Sequence, residues 1–216
     1  MTAITISREI GSQGDLIAEL TAKKLGYKLV DKNTIEQVFQ KYGMVDFKKI
    51  YNETGFWANF DPHRLEMVRF LNRAIESAAY HGKIVLLGRG GFAALKGCLD
   101  VLNVRIQAPF DLRVHRVRQE QNFTSLADTE EYVRKSDQMR REFVNSMYAE
   151  RWDSVSAFDL VIDTAKISAE RAVDWLEAAI QDCVRFQPEQ AMTTRALEID
   201  PVLLDTVVQV LGQQTV

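Results

Sequence analysis

The stretch Ala3-Ile-Thr-Ile-Ser-Arg-Glu-Ile-Gly-Ser-Gln-Gly-Asp-Leu-Ile-Ala-Glu-Leu-Thr-Ala-Lys-Lys-Leu-Gly26 decides how the rest of the chain is read. Ala3 to Ser7 has the apolar-rich run of a buried strand. A short turn with Gly11 and Gly14 follows, then an amphipathic helix carried by Leu16, Ile17, Leu20 and Leu25, with Gly26 as its stop signal. A strand feeding a glycine turn into a helix aims the unpaired N–H groups of the first helical turn at one point. Donors and helix dipole together draw phosphate there. Ser12 adds a hydroxyl and Arg8 a fixed positive charge at the strand's exit.

The turn departs from a Walker A loop, which places Lys and then Ser or Thr after its second glycine. Setting Gly11-Ser12 on the Gly-Ser of a nucleotide kinase loop puts Gly14 at the lysine position, with Asp15 and Leu16 where Gly-Thr is common. The amine that reaches the β- and γ-phosphates is gone, and so is the hydroxyl that would ligate magnesium.

The 216 residues suit one domain with a lid or appended helix. At 46% hydrophobic and 26% charged, the chain can build an ordinary core. A net charge of −3 gives no electrostatic reason to expect nucleic acid or an anionic membrane as partner. No apolar run is long enough to span a bilayer. The first strand begins at residue 3, which leaves no room for a cleavable signal. Cys98 and Cys183 are isolated thiols, suited to a reducing cytoplasm. His63, His81 and His115 lack metal-ligand spacing, so no protein-built metal site is expected.

Onward from Gly26, Tyr27 to Asp31 reads as a second strand ending in an acid, and Asn33 to Lys41 as a helix. Tyr42 to Pro62 mixes glycines and aromatics, as a substrate-covering segment or a partner-facing edge would. A helix over Arg64–His81 leads to Lys83-Ile-Val-Leu-Leu87, a continuous apolar strand of the kind buried on both faces of a parallel sheet. It breaks at a second glycine turn, Gly88-Arg89-Gly90-Gly91. Asn103–Ala108 and Phe158–Asp163 are the remaining strands, with helices at Asp111–Gln119, Asp128–Met147 and Ala169–Val184. This order predicts a doubly wound α/β fold with its ligand crevice beyond the strands' C-terminal ends. Residues 187–194 read as a linker. Asp200-Pro201 then caps a helix bearing Leu203, Leu204, Val207, Val208 and Leu211, which docks on its own domain or, the favoured expectation, on a second subunit.

The crevice rule gathers Arg8, Ser12, Asp31 and Arg89 at one edge. Arg89, flanked by glycines, suits a forked grip on phosphate. In the charged helix Arg134, Asp137 and Arg141 share a face, with Arg140 beside them. That is the pattern of a solvated surface, or of lid arginines that neutralise a transferring phosphoryl group.

Taken in order, Ile4 to Gly14, Lys24-Leu-Gly-Tyr27 with Asp31, Leu87-Gly-Arg-Gly90, Asp137 with Arg140 and Trp152, and Phe158 to Thr164 resemble the cytidylate kinase-like family of P-loop nucleoside monophosphate kinases. The resemblance runs over about three quarters of the chain. It implies a three-layer P-loop kinase-like α/β fold with a parallel sheet, over residues 1–186, and a helical lid near residues 122–157. Residues 187–216 would add the linker and an extra C-terminal helix. It implies ATP with Mg2+ bound through the substrate phosphates, and a small-molecule nucleotide acceptor such as a pyrimidine monophosphate. Gly11, Ser12, Gln13, Gly14 and Asp15 would form the phosphate cradle, and Arg113 would lie near the adenine. Asp31 and Arg89 would hold the acceptor, and Arg140 and Arg141 would be the lid arginines. Arg8 is the candidate to replace the missing lysine. Two functions remain open: phosphoryl transfer, or an inactive nucleotide or anion sensor, or scaffold, on the same fold.

Overall fold

The computed structural model describes residues 2–44, 62–185 and 191–214. Much of the segment singled out between Tyr42 and Pro62, residues 45–61, lies outside them. Five strands form one sheet: β1 (Ala3–Arg8), β2 (Lys28–Val30), β3 (Ile84–Leu87), β4 (Val101–Gln107) and β5 (Leu160–Asp163). Their order is β2-β3-β1-β4-β5 and every pairing is parallel. Ile6 lies opposite Leu87 and Val104, and Arg8 opposite Ile106, so the strands run out along one common edge.

Two apolar layers cover the sheet. On one face, Ile4, Ile6, Val85, Leu87, Val104 and Ile106 pack with α1 (Gly14–Leu25) and α7 (Ala169–Arg185). On the other, Ala3, Val30, Ile84 and Leu86 pack with α2 (Lys32–Tyr42), α3 (Pro62–His81) and the C-terminal helix α8 (Pro201–Gly212). Successive residues of β3 therefore enter opposite cores, which is why its run is apolar without alternation. Each fully buried Ile or Leu contributes about 1.5–3 kcal/mol. Between β3 and β4 lies a one-turn helix, α4 (Gly91–Ala94), which the sequence did not suggest. The helices α5 (Phe110–Glu120) and α6 (Leu126–Tyr148) pack on each other as a hairpin, with Ser125 capping α6 through Asp128 N–H.

The expected stripe of α1 needs one correction. Its buried residues are Gly14, Ile17, Ala18, Thr21 and Ala22, while Leu16 is 42% exposed. Small side chains face the sheet because the helix runs close over it. The C-terminal helix needs another. Asp200 caps it by accepting from the N–H groups of Val202 and Leu203, as its sequence implied. Its apolar face is Leu203, Val207, Val210 and Leu211, and this face is buried in the same core as β2 and β3. The surface expected to meet a second subunit thus meets α2 and α3 of its own chain. Of the residues assigned to that face, Val208 points outward.

Candidate active site

Arg8 leaves the end of β1 and lies across α1's first turn. A Cβ on Gly14 would meet Arg8 Cγ at 2.7 Å, and a Cβ on Gly88 would meet Arg8 Nη1 at 2.5 Å. The side chain therefore threads between the two glycine turns, through space that a side chain at position 14 would claim. Asp15 holds its far end, accepting from Nη2 at 2.8 Å and from Nε at 3.5 Å. Asp15, expected in the cradle, orients Arg8 through this ion pair.

The turn from residue 9 to 14 is pinned from beneath. Ser12 is fully buried, and its hydroxyl donates to the Glu9 carbonyl at 2.7 Å. Ser12 thus folds the turn from inside rather than offering its hydroxyl to a ligand. Gly11 has φ +72°, and a Cβ there would strike the Arg113 carbonyl oxygen at 2.7 Å. Gln13 takes φ +63° at the N-cap of α1, with no side chain closing the cap. The first-turn N–H groups of α1 have no intrahelical partners.

Arg113 was expected near an adenine. It is buried under the turn instead, donating to the carbonyls of Ala108 and Ile10 and pairing with Asp137 at 2.7 Å and Glu9 at 3.3 Å. Glu9 also pairs with Arg105 at 3.2 Å, and Arg105 donates to the Trp152 carbonyl and stacks 4.5 Å from its ring centroid. Asp137 accepts the Ile10 N–H at 3.1 Å, so α6 is bonded directly to the turn. The network Glu9, Arg105, Arg113 and Asp137 was not legible as a unit, because its members come from the turn after β1 and from three separate elements, β4, α5 and α6. Arg116 was missed as well. It bridges the Gly11 carbonyl at 3.2 Å and Thr164 at 2.9 Å, joining the turn to the exit of β5.

The second glycine turn presents Arg89 with φ +56°, between Gly88 at +74° and Gly90 at +68°. A non-glycine residue in the left-handed region costs about 1–2 kcal/mol, and strain of this kind concentrates where function needs it. Burial, then the charges of Arg8 and Arg140, pull the Arg89 guanidinium down to about 10. Arg140 is lowered too, by burial first and then by Arg8. It is held by Ser136 and lies 3.7 Å from Asp137. Arg8, Arg89 and Arg140, from β1, the β3 exit and α6, thus lie near enough for the charge of Arg8 to disfavour the charged form of both others, a crowding of like charge that an anion would relieve. Arg141 is turned elsewhere, exposed over the Trp152 ring at 5.9 Å. Asp31 caps α2, its Oδ1 accepting from the N–H and hydroxyl of Thr34 at 2.8 and 2.9 Å. Its charge, with that of Glu36, still reaches Arg89.

A parallel sheet in this order, with a glycine turn at β1 and a helical hairpin beside it, defines a P-loop kinase-like α/β protein. The chain belongs to the cytidylate kinase-like family, whose sequence pattern matches residues 3–166. A cytidylate kinase of Methanosarcina barkeri is 27% identical over 184 residues, covering 84% of this chain and 97% of its own length. A uronate isomerase of Corynebacterium glutamicum is 30% identical over 109 residues, which are 50% of this chain and 21% of the isomerase. Among solved structures, a protein of Eubacterium ventriosum shares the fold with a TM-score of 0.68 and 22% identity, over 84% of this chain and 98% of its own. Among the described residues no helix is long and apolar enough to cross a membrane, and no three His, Cys, Asp or Glu side chains are grouped to hold a metal.

Proposed function

We propose that the protein transfers the γ-phosphoryl group of ATP to a small phosphorylated acceptor, a pyrimidine nucleoside monophosphate being the leading candidate. The observation that carries this is the convergence of Arg8, Arg89 and Arg140, with Arg8 threaded through the space above Gly14. The donor set fits a polyphosphate: an open helix N-terminus, three buried or half-buried cations and two glycine turns a ligand can approach. ATP with magnesium supplies the activated phosphoryl group and part of its charge neutralisation. Magnesium, on this reading, rides on the phosphates, since Asp15 is engaged by Arg8 and position 16 is an exposed leucine.

The chain's own contribution is positioning and charge. The turn's N–H groups orient the donor phosphates. Arg8 places a forked cation where a lysine would place a point charge. Arg89 holds the acceptor phosphate, and Arg140, tied to Asp137, neutralises the group in transit. Solution in the cytoplasm with no nucleic-acid or membrane partner is part of the same proposal. The test is a thermal-shift panel of ATP, GTP, CMP, UMP and dCMP, with and without magnesium. An enzyme gains stability from a donor and from an acceptor separately, by mass action. A response to a single nucleotide would favour a sensor, and no response to any would remove both nucleotide readings.

A further inference from the structure

Beyond the three arginines, one side chain on the lid helix touches the second glycine turn directly. Tyr148 ends α6, and its ring lies where a Cβ on Gly90 would stand, with its Cζ 3.0 Å from that position. Its hydroxyl donates to Asn72 Oδ1 on α3 at 2.7 Å and lies 3.4 Å from the Arg89 carbonyl oxygen. The shorter bond takes most of the proton, so Asn72 pins the ring and the ring covers the turn. One turn earlier on the same helix, the Phe143 ring centroid stands 5.5 Å from the Arg89 guanidinium. Burial pushes the Tyr148 hydroxyl well above the usual tyrosine range, so it stays a neutral donor through physiological pH.

We infer that Tyr148 is a positioning residue: clamped by Asn72, it holds Arg89 in its left-handed backbone and so sets the affinity of the acceptor-phosphate site. The inference rests on the reading of Arg89 as an acceptor-phosphate ligand. Three observations join in it. Arg89 is a non-glycine residue at positive φ, Gly90 has no room for a side chain because of Tyr148, and the tyrosine is fixed from a third element. A ring that only filled the core would need neither the glycine nor the strained arginine beneath it. The end of the lid helix and the acceptor site therefore move as one body, and the C-terminal part of α6 is seated before any ligand arrives.

The test measures binding of inorganic phosphate and of CMP to the full chain by titration calorimetry, beside steady-state turnover. Tyr148→Phe keeps the ring and removes the hydroxyl. It should weaken phosphate and CMP about five- to tenfold, one net hydrogen bond, raise the KM for CMP by the same factor, and leave the KM for ATP unchanged. Asn72→Ala should reproduce this pattern, while Gly90→Ala, which drives a methyl into the ring, should weaken phosphate further. A purely structural tyrosine would lower the melting temperature and the active fraction with both KM values and the phosphate affinity intact, and that result overturns the inference. Weakened phosphate binding in the variants, beside a wild type that shows no turnover, would leave the clamp standing and remove the transfer reading. Normal turnover with unaltered phosphate and CMP affinity in all three variants would do the reverse.

Discussion

Arg8 and Gly14 are best understood as a pair, since each makes the other's position workable. The missing side chain at position 14 leaves the room that Arg8 Cγ fills, and Asp15, the next residue, fixes the guanidinium. Gly14→Ala should therefore displace Arg8 and lower phosphoryl transfer by about 10²–10³, the range for losing one preorganised donor, while the fold persists. Circular dichroism beside a coupled ADP-release assay checks it, and full activity in a folded Gly14→Ala would break the pairing. Arg89 carries the complementary expectation. Its folded pKa lies below the value of a free arginine, so the guanidinium stays charged below about pH 10 but carrying that charge costs the native state stability there. An unliganded chain thus carries this penalty throughout the neutral range and sheds it only as pH rises through 10. Phosphate should relieve it: at pH 7 phosphate should raise the melting temperature more than chloride at equal ionic strength, and Arg89→Ala should abolish the difference. An equal response in wild type and variant would contradict the assignment.

At the scale of elements, α6 is a strut. Asp137 joins it to the Ile10 N–H within the first glycine turn and to Arg113 beneath that turn. Removing one partner of a buried pair costs about 3–5 kcal/mol, because the other charge is stranded. Asp137→Ala should destabilise by that amount in urea unfolding and should weaken ATP along with CMP, whereas Tyr148→Phe spares ATP. A loss under 1 kcal/mol would show the network to be dispensable. Much of this was legible and some was not, for physical reasons. The strand–turn–helix of residues 3–26 was readable because glycine placement and apolar runs are local signals. Arg140 and Arg141 were both expected as lid arginines and could not be told apart, since adjacent helical residues diverge by about 100° and only the partner surfaces decide which turns inward. Ser12 reads as a phosphate ligand because a hydroxyl at a turn suits phosphate equally well whether it points inside or outside, and Arg113 is placed near the adenine only by the family resemblance. Ser12's inward turn is a local bond to the Glu9 carbonyl, whereas Val117 against Gly11 and Asp137 against Arg113 are neighbours that only the tertiary fold supplies.

For the whole molecule, the C-terminal helix belongs to the core. Leu203 is fully buried against α2 and α3, and Thr194 of the preceding segment gives its N–H and hydroxyl to Asp100 at 2.7 and 2.6 Å. Its amphipathic pattern was clear from sequence, but a pattern specifies a face and not what covers it. Leu203→Ala should cost about 2–5 kcal/mol in chemical unfolding, with the elution volume of the native protein unchanged. A change of oligomeric state without loss of stability would restore the subunit-contact reading. The sheet, its two cores and the hairpin together bring three cations from separate elements to one edge, and the account turns on what they hold.

The most direct test is ADP release from ATP and magnesium with CMP as acceptor, comparing wild type, Arg8→Ala and a control, Arg171→Ala, on the exposed outer face of α7. The account predicts turnover in the wild type, a loss of about 10²–10³ in Arg8→Ala and none in the control. Equal rates for wild type and Arg8→Ala would contradict it.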